Sequence, residues 1–141
     1  MYYIPLVIFI CLLMPTTSYR EMSYHITQLL CSIHDHLDRS TKKNRVCDAI
    51  EKAFQEEQLP YTRGSIISVF NGDTRIGARK IDFIIDRRVL LQIISKKYTK
   101  KTDHHELTYA LNQTNLPLGI LANFKEKKLM PKRLFNTSGI G

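Results

Sequence analysis

Apolar residues in the first part of the chain recur with the period of an α-helix. Over residues 24–37 the apolar positions follow one another at steps of three, one, three and four, which predicts an amphipathic helix. A second set begins at Val46 with steps of four, three and one, and it predicts a helix that extends to about Gln58. Pro60 closes this segment, because proline lacks an amide hydrogen and disfavours helix at the residue before it.

The middle of the chain changes from helical to strand-like patterning. Residues 66–70 are mostly β-branched and aromatic and lead into Asn71-Gly72, which is a strong hairpin signal. Residues 80–85 and 89–94 predict two further strands, which the charged residues 86–88 separate. These three segments therefore predict an antiparallel meander.

The last part of the chain predicts one more helix and one more strand. A polar stretch over residues 95–103 leads to a short helix at about residues 104–112, and residues 116–123 predict a largely buried strand. A meander of three strands followed by a helical crossover to a fourth gives an α/β sandwich with a four-stranded mixed sheet.

The composition is consistent with one such domain. The chain has 141 residues, of which 43% are hydrophobic, so it can form a packed core. The absence of internal repeats and of a second apolar block excludes solenoids, fibres and multi-span membrane proteins. Three cysteines are too few for a disulfide-based scaffold or a zinc ribbon. We expect the folded domain over residues 22–135 and a flexible tail over residues 136–141.

The first 18 residues form an apolar leader with two interpretations. Its run of about 13 apolar residues is shorter than the ~20 of a membrane-spanning helix and fits the apolar region of a signal peptide. Thr16 and Ser18 are small residues suited to a cleavage site, but the usual basic residues before the run are lacking. The alternative is a true start at Met22. A signal predicts a secreted or membrane-tethered protein, whereas the second interpretation predicts a cytoplasmic one, which we favour.

Asp82 is the most informative residue, because it lies inside an otherwise apolar strand. An unpaired carboxylate is costly to bury there. If residues 86–88 form a three-residue loop, Ile85 pairs with Val89 and Asp82 lies opposite Gln92, with both side chains on one face of the sheet. Two polar groups that face each other across apolar strands indicate a functional site. The alternative is a sheet face that is open to solvent.

A series of segments between about Met22 and Arg133 adds a family resemblance. These segments are Ile33-His34, Leu59-Pro60-Tyr61, Gly77, Lys80-Ile81-Asp82-Phe83-Ile84-Ile85, Val89-Leu90-Leu91 and Gly119-Ile120-Leu121-Ala122-Asn123-Phe124. In this order and spacing the region resembles the small restriction-endonuclease-like proteins named for a GxxExxY signature, which are members of the PD-(D/E)XK nuclease superfamily. The resemblance implies an α-β-β-β-α-β core, which matches the order of elements that the patterning predicts.

The resemblance also implies a metal-dependent nuclease site. Its residues are an aspartate, followed on the next strand by a glutamate and a lysine two positions apart. The carboxylates hold Mg²⁺, and the metal and lysine together activate water and stabilise charge on the phosphate. Carried over by position, the aspartate is Asp82, whereas Gln92 stands in the glutamate position and Ile94 in the lysine position.

The signature positions depart from the family pattern as well. Ser40, Lys43 and Val46 stand where glycine, glutamate and tyrosine are expected, so a base replaces an acid on the second helix. On the third helix Glu106 replaces a glutamine that is usual there. We therefore expect a degenerate, inactive nuclease site.

A site rebuilt from neighbouring residues is the alternative. Lys96 shares a strand face with Gln92 by parity, and Glu106 can supply a second carboxylate from the third helix. This alternative predicts Asp82, Gln92 and Lys96 as catalytic residues, with Mg²⁺ held by Asp82 and Glu106. Lys43 argues against it, because a nearby positive charge repels the metal. No small-molecule cofactor is expected.

The distribution of charge indicates a polyanionic partner. The net charge is +8, and from Lys96 onward nine lysines and arginines face only three acidic residues. Lysines at a strand end contact phosphates without reading bases. The predicted nucleic-acid-binding residues are Lys43, Lys80, Lys96, Lys97, Lys100 and Lys101. Tyr98 and Phe124 are candidates for stacking on a base, and packing in the core is the alternative for each. The alternative is a solvated lysine-rich rim.

Together these observations predict a nuclease-fold protein that binds DNA or RNA and has lost cleavage. One alternative is an active Mg²⁺-dependent nuclease whose site is centred on Asp82. The other is a secreted or membrane-tethered interaction protein, which the leader and the glycosylation sequons at Asn112 and Asn136 suggest.

Overall fold

The computed structural model describes residues 18–136, which contain three helices and five strands. The predicted leader apart from Ser18, and the predicted tail apart from Asn136, lie outside the described residues. In chain order the elements are α1 (Tyr19–His36), α2 (Lys43–Glu56), β1 (Tyr61–Asn71), β2 (Thr74–Ile85), β3 (Val89–Ile94), α3 (Lys101–Thr114), β4 (Leu118–Asn123) and β5 (Lys132–Phe135).

The strands form one mixed sheet in the order β1-β2-β3-β4-β5. β3 and β4 are parallel and are joined by α3, whereas every other neighbouring pair is antiparallel. This arrangement confirms the predicted α/β, restriction-endonuclease-like fold. The strand count of four was wrong, because Lys132–Phe135 adds a fifth strand at the edge beside β4. This strand is short and mostly exposed, so it lacks the apolar run that marks β3 and β4.

Helices cover both faces of the sheet. On one face α1 and α2 bury their apolar sides against Phe83, Leu91 and Ile120. On the other face α3 packs against a smaller cluster that includes Leu90 and Leu121. β3 and β4 lie between the two layers and are buried on both sides, which explains why their sequences are almost continuously apolar.

Several elements extend beyond their predicted ends. α1 begins at Tyr19 because the Ser18 hydroxyl caps it, accepting a hydrogen bond from the amide of Glu21 at 3.1 Å. The β1–β2 hairpin is longer than residues 66–70 and 80–85, and only its base, Phe83 to Ile85, pairs with β3. The predicted pairing of Ile85 with Val89 is confirmed.

Within residues 18–136, none of the helices combines the length and the apolar character needed to cross a membrane.

Candidate functional site

Asp82 lies at the point where β2 separates from β3. The residue pairing of the two strands ends at Phe83 and Leu91. Beyond this pair, hydrogen bonds between side chains and backbone amides connect the two strands. The Asp82 Oδ2 atom accepts a hydrogen bond from the amide of Ile93 at 2.7 Å, and the Asp82 amide donates to Gln92 Oε1 at 3.3 Å. Asp82 is only 7% exposed, so it does not lie on a solvent-open sheet face.

The alternation of side chains along β2 is interrupted at the same place. Ile81 packs in the cluster beside α3, whereas Phe83 packs in the cluster beside α1 and α2, although strict alternation would put both on one face. The pairs of β1 with β2 pass from Arg63–Phe83 to Ser65–Ile81, and Gly64 between them has a φ of 77°, a backbone conformation that favours glycine. The Asp82 carboxylate lies on the α2 side at this interruption, where it contacts Lys43.

As a result, Asp82 and Gln92 line two adjoining clefts and do not share one. The Asp82 cleft has a volume of about 460 Å³ and is lined by Lys43, Asn44, Cys47, Arg63, Lys80 and Asp82. The second cleft, of about 320 Å³, is lined by Gln92, Lys96, Asp103, Glu106 and their neighbours. Lys43 lines both.

The Asp82 carboxylate is paired with a lysine. Lys43 is the first residue of α2, and its Nζ lies 3.1 Å from Asp82 Oδ2. The Lys43 side chain is 43% exposed, whereas the Asp82 side chain is 8% exposed. Lys43 stands where the resemblance places an acid, so a fixed ammonium now occupies the neighbourhood of the one carboxylate that matches its expected position.

Cys47, one turn further along α2, does not add a charged ligand. Burial raises the pKa of its thiol to about 11, and the nearby charge of Asp82 contributes in the same direction. The thiol is therefore protonated at neutral pH. Cys31 and Cys47 are both free thiols.

A second lysine–aspartate pair lies at the start of α3. Lys96 Nζ is 2.6 Å from Asp103 Oδ1, and Asp103 Oδ2 accepts the amide of Lys100 at 2.8 Å. Burial alone would raise the pKa of Asp103, but the hydrogen bonds from Lys96 and Lys100 outweigh it and hold the pKa below its ordinary value. The sequence prediction missed Asp103. Asp103 could have been identified as an acidic residue in the first turn of a helix, where a carboxylate often caps backbone amides.

Glu106, the other predicted metal ligand, faces a different partner. It lines the second cleft with Gln92 but not the Asp82 cleft, and its Oε1 lies 3.4 Å from the guanidinium of Arg79. The structure therefore does not bring Glu106 and Asp82 into one cleft.

These residues do not fit a Mg²⁺ site. Mg²⁺ requires near-octahedral oxygen coordination with carboxylate charge. Asp82 is already bound to Lys43 and to a backbone amide, and Glu106 to Arg79. Across residues 18–136 there is no group of three or more histidine, cysteine, aspartate or glutamate side chains that could hold a metal.

The structure separates the predicted nucleic-acid-binding residues into two kinds. Lys43 and Lys96 are held in ion pairs, whereas the other predicted lysines are exposed and have no ion pair among the described residues; these are Lys80, Lys97, Lys100 and Lys101. Tyr98 is also exposed. Phe124 is buried with its ring centroid 5.6 Å from that of His34, so of the two interpretations of this residue the structure supports packing in the core.

Comparison with known proteins identifies the family. A family model described as the PD-(D/E)XK nuclease superfamily matches residues 20–134. No curated protein and no solved structure was found to match the chain. The match extends from the second residue of α1 to the third residue of β5 and so includes every element that builds the two clefts. The chain therefore belongs to the PD-(D/E)XK nuclease superfamily.

Proposed function

We propose that this protein is a catalytically degenerate member of the superfamily that binds nucleic acid without cutting it. The ion pair between Lys43 and Asp82 carries the proposal, because it supplies a fixed cation beside the carboxylate that a metal would need. A lysine ammonium balances charge, but it offers no coordination position at which a water molecule can be activated.

The neighbouring positions support the loss of cleavage. Gln92 contributes a neutral amide oxygen, and that oxygen accepts the amide of Asp82. Ile94 is 6% exposed and apolar, so it cannot stabilise charge on a phosphate. The kinship with GxxExxY proteins is part of this proposal and rests on the order and spacing of the segments described above.

Exposed positive charge supports nucleic-acid binding. The chain has a net charge of +8, and the lysines that follow β3 lie at the end of the sheet beside the second cleft. Lysine contacts to phosphates release condensed counterions, so the affinity should fall steeply as the salt concentration rises. DNA and RNA share this chemistry.

A cleavage and binding assay tests the proposal. The full chain is incubated with single- and double-stranded DNA and RNA in Mg²⁺, Mn²⁺ or EDTA, beside an Asp82→Ala variant. We expect no metal-dependent cutting above the level of the variant and salt-sensitive binding that persists in EDTA. Metal-dependent cutting that is lost in Asp82→Ala would contradict the proposal and support a rebuilt site.

A further inference from the structure

Two lysine-rich loops meet at one end of the sheet. β3 and β4 are parallel, and their last residues, Ile94 and Asn123, are paired. The segments that follow them, residues 95–101 and 124–128, are therefore neighbours in space although residues 102–123, which include the rest of α3 and all of β4, separate them in the chain. We refer to these two segments together as the two-loop surface.

One buried side chain joins the two loops. Asn123 is 2% exposed, and its Oδ1 accepts the amides of Lys96 at 3.3 Å and Lys125 at 3.1 Å. Its Nδ2 donates to the Thr99 hydroxyl at 3.2 Å. The backbones of both loops are therefore held relative to each other by one amide group, and the surface is preorganised.

The surface carries a dense and largely uncompensated positive charge. Seven exposed lysines belong to it: Lys96, Lys97, Lys100, Lys101, Lys125, Lys127 and Lys128. Among the described residues, only Lys96 of these has a carboxylate within ion-pair distance. Six ammonium groups thus remain available to a polyanion.

An exposed aromatic ring lies within this charge. Tyr98 is 68% exposed, and Lys97 Nζ lies 5.5 Å from the centroid of its ring. A large aromatic side chain at this exposure gains little from packing in the protein. Among phosphate-binding lysines it offers a face on which an unpaired base can stack.

We propose that the two-loop surface binds single-stranded nucleic acid, with Tyr98 stacking on a base and the lysines of both loops contacting the flanking phosphates. This inference rests on the proposed function and adds the interface and the strand state of the ligand. A single strand is favoured over a duplex because duplex bases are stacked on one another and cannot present a face to Tyr98.

Fluorescence anisotropy with the full chain in EDTA tests this inference. The probes are an oligothymidine and a duplex of equal length. Tyr98→Ala should weaken binding of the single strand about tenfold, while Tyr98→Phe stays within about twofold of wild type because the ring is retained. Binding of the duplex should change little in either variant. The matched control is Tyr24→Ala, which removes another exposed tyrosine (61%) from α1.

Each remaining outcome is decisive. If Tyr98→Ala binds the single strand as tightly as Tyr24→Ala does, or if wild type prefers the duplex, the inference is overturned while the proposed function survives. If wild type binds neither probe, and neither an oligouridine nor an RNA duplex of the same length, both are overturned. Tighter binding to phosphatidylserine-containing vesicles than to the oligothymidine would also overturn the inference, because the lysines would then recognise a lipid surface.

Discussion

The Asp82 cleft and the two-loop surface are both rich in positive side chains, but their charges are compensated to very different degrees. In the cleft, Lys43 is paired with Asp82, and Arg63 lies 2.8 Å from Asp48 and 3.0 Å from Glu51. Of the three cations of the cleft, only Lys80 therefore has no ion pair among the described residues. On the two-loop surface, six of the seven lysines have no such partner among the described residues.

The contrast distinguishes cations that stabilise the fold through ion pairs from cations that are available to bind a ligand. A cation that is already bound to a buried carboxylate has less to gain from a phosphate, since the new contact must compete with the existing one. An uncompensated lysine in water loses only mobile counterions when it binds. The Asp82 cleft, where the family resemblance implies the nuclease site, is therefore less suited than the two-loop surface to bind a polyanion.

The largest effect is expected when the ion pair between Lys43 and Asp82 in the cleft is removed. Lys43→Met should lower the free energy of unfolding by about 2–3 kcal/mol, because it leaves the Asp82 carboxylate buried without its cation. This loss is smaller than that expected for a fully buried ion pair, because 43% of the Lys43 side chain is exposed. Urea denaturation measures the change. Lys52→Met, at an exposed site on the same helix, is the control, and equal effects of the two substitutions would show that the pair contributes no stability.

A medium effect is expected at the second pair and depends on pH. The pKa of Asp103 is lowered in the folded protein, so its stabilisation is complete above the ordinary carboxyl pKa of about 3.9 and is lost as the pH falls through the folded-state value. Asp103→Asn should therefore lower the free energy of unfolding by about 1 kcal/mol at neutral pH.

Urea denaturation over a series of pH values checks this expectation. The difference between wild type and Asp103→Asn should shrink as the pH falls below about 4. Asp73→Asn, in the exposed β1–β2 turn, should show little difference at any pH. A difference for Asp103→Asn that does not change with pH would mean that the charge of Asp103 is not its source.

The smallest effect on stability is expected on the two-loop surface, where the change should appear in binding instead. Lys97→Ala and Lys125→Ala, one in each loop, should change the free energy of unfolding by no more than about 0.5 kcal/mol. Each should reduce the slope of log affinity against log salt by about 0.7 for a single strand.

Lys52→Ala is the control, because it removes the same charge from α2. A slope that changes for Lys97→Ala but not for Lys125→Ala would limit the interface to the loop after β3.

Much of the fold follows from the sequence because its signals are local. The apolar periods of α1 and α2 and the runs of β3 and β4 predict those elements, and the three-residue loop after Ile85 predicts its pairing with Val89. β5 was missed because a short edge strand with exposed residues has no such pattern. For Phe124 the sequence left base stacking and core packing open, because an aromatic residue at a strand end has the same sequence context whether it packs inward or outward.

The site is less predictable because its contacts join distant segments. The family resemblance implies that Lys43 replaces an acid, but the 3.1 Å contact with Asp82 depends on the interrupted alternation of side chains along β2 and on the packing of α2. Asp103 stood inside a polar stretch whose helix starts three residues earlier than predicted, so its capping position was not recognised. Asn123 ends an apolar strand, and nothing in the sequence shows that its amide reaches two loops.

The Asn123 side-chain amide couples the motions of the two loops. Because the amides of Lys96 and Lys125 depend on the same oxygen of Asn123, a fluctuation that frees one loop removes part of the restraint on the other. We therefore expect the loops to open as one cooperative unit, whose amide protons exchange with solvent together and not loop by loop. A nucleic-acid strand that contacts both loops would suppress this shared opening, whichever loop it holds more tightly.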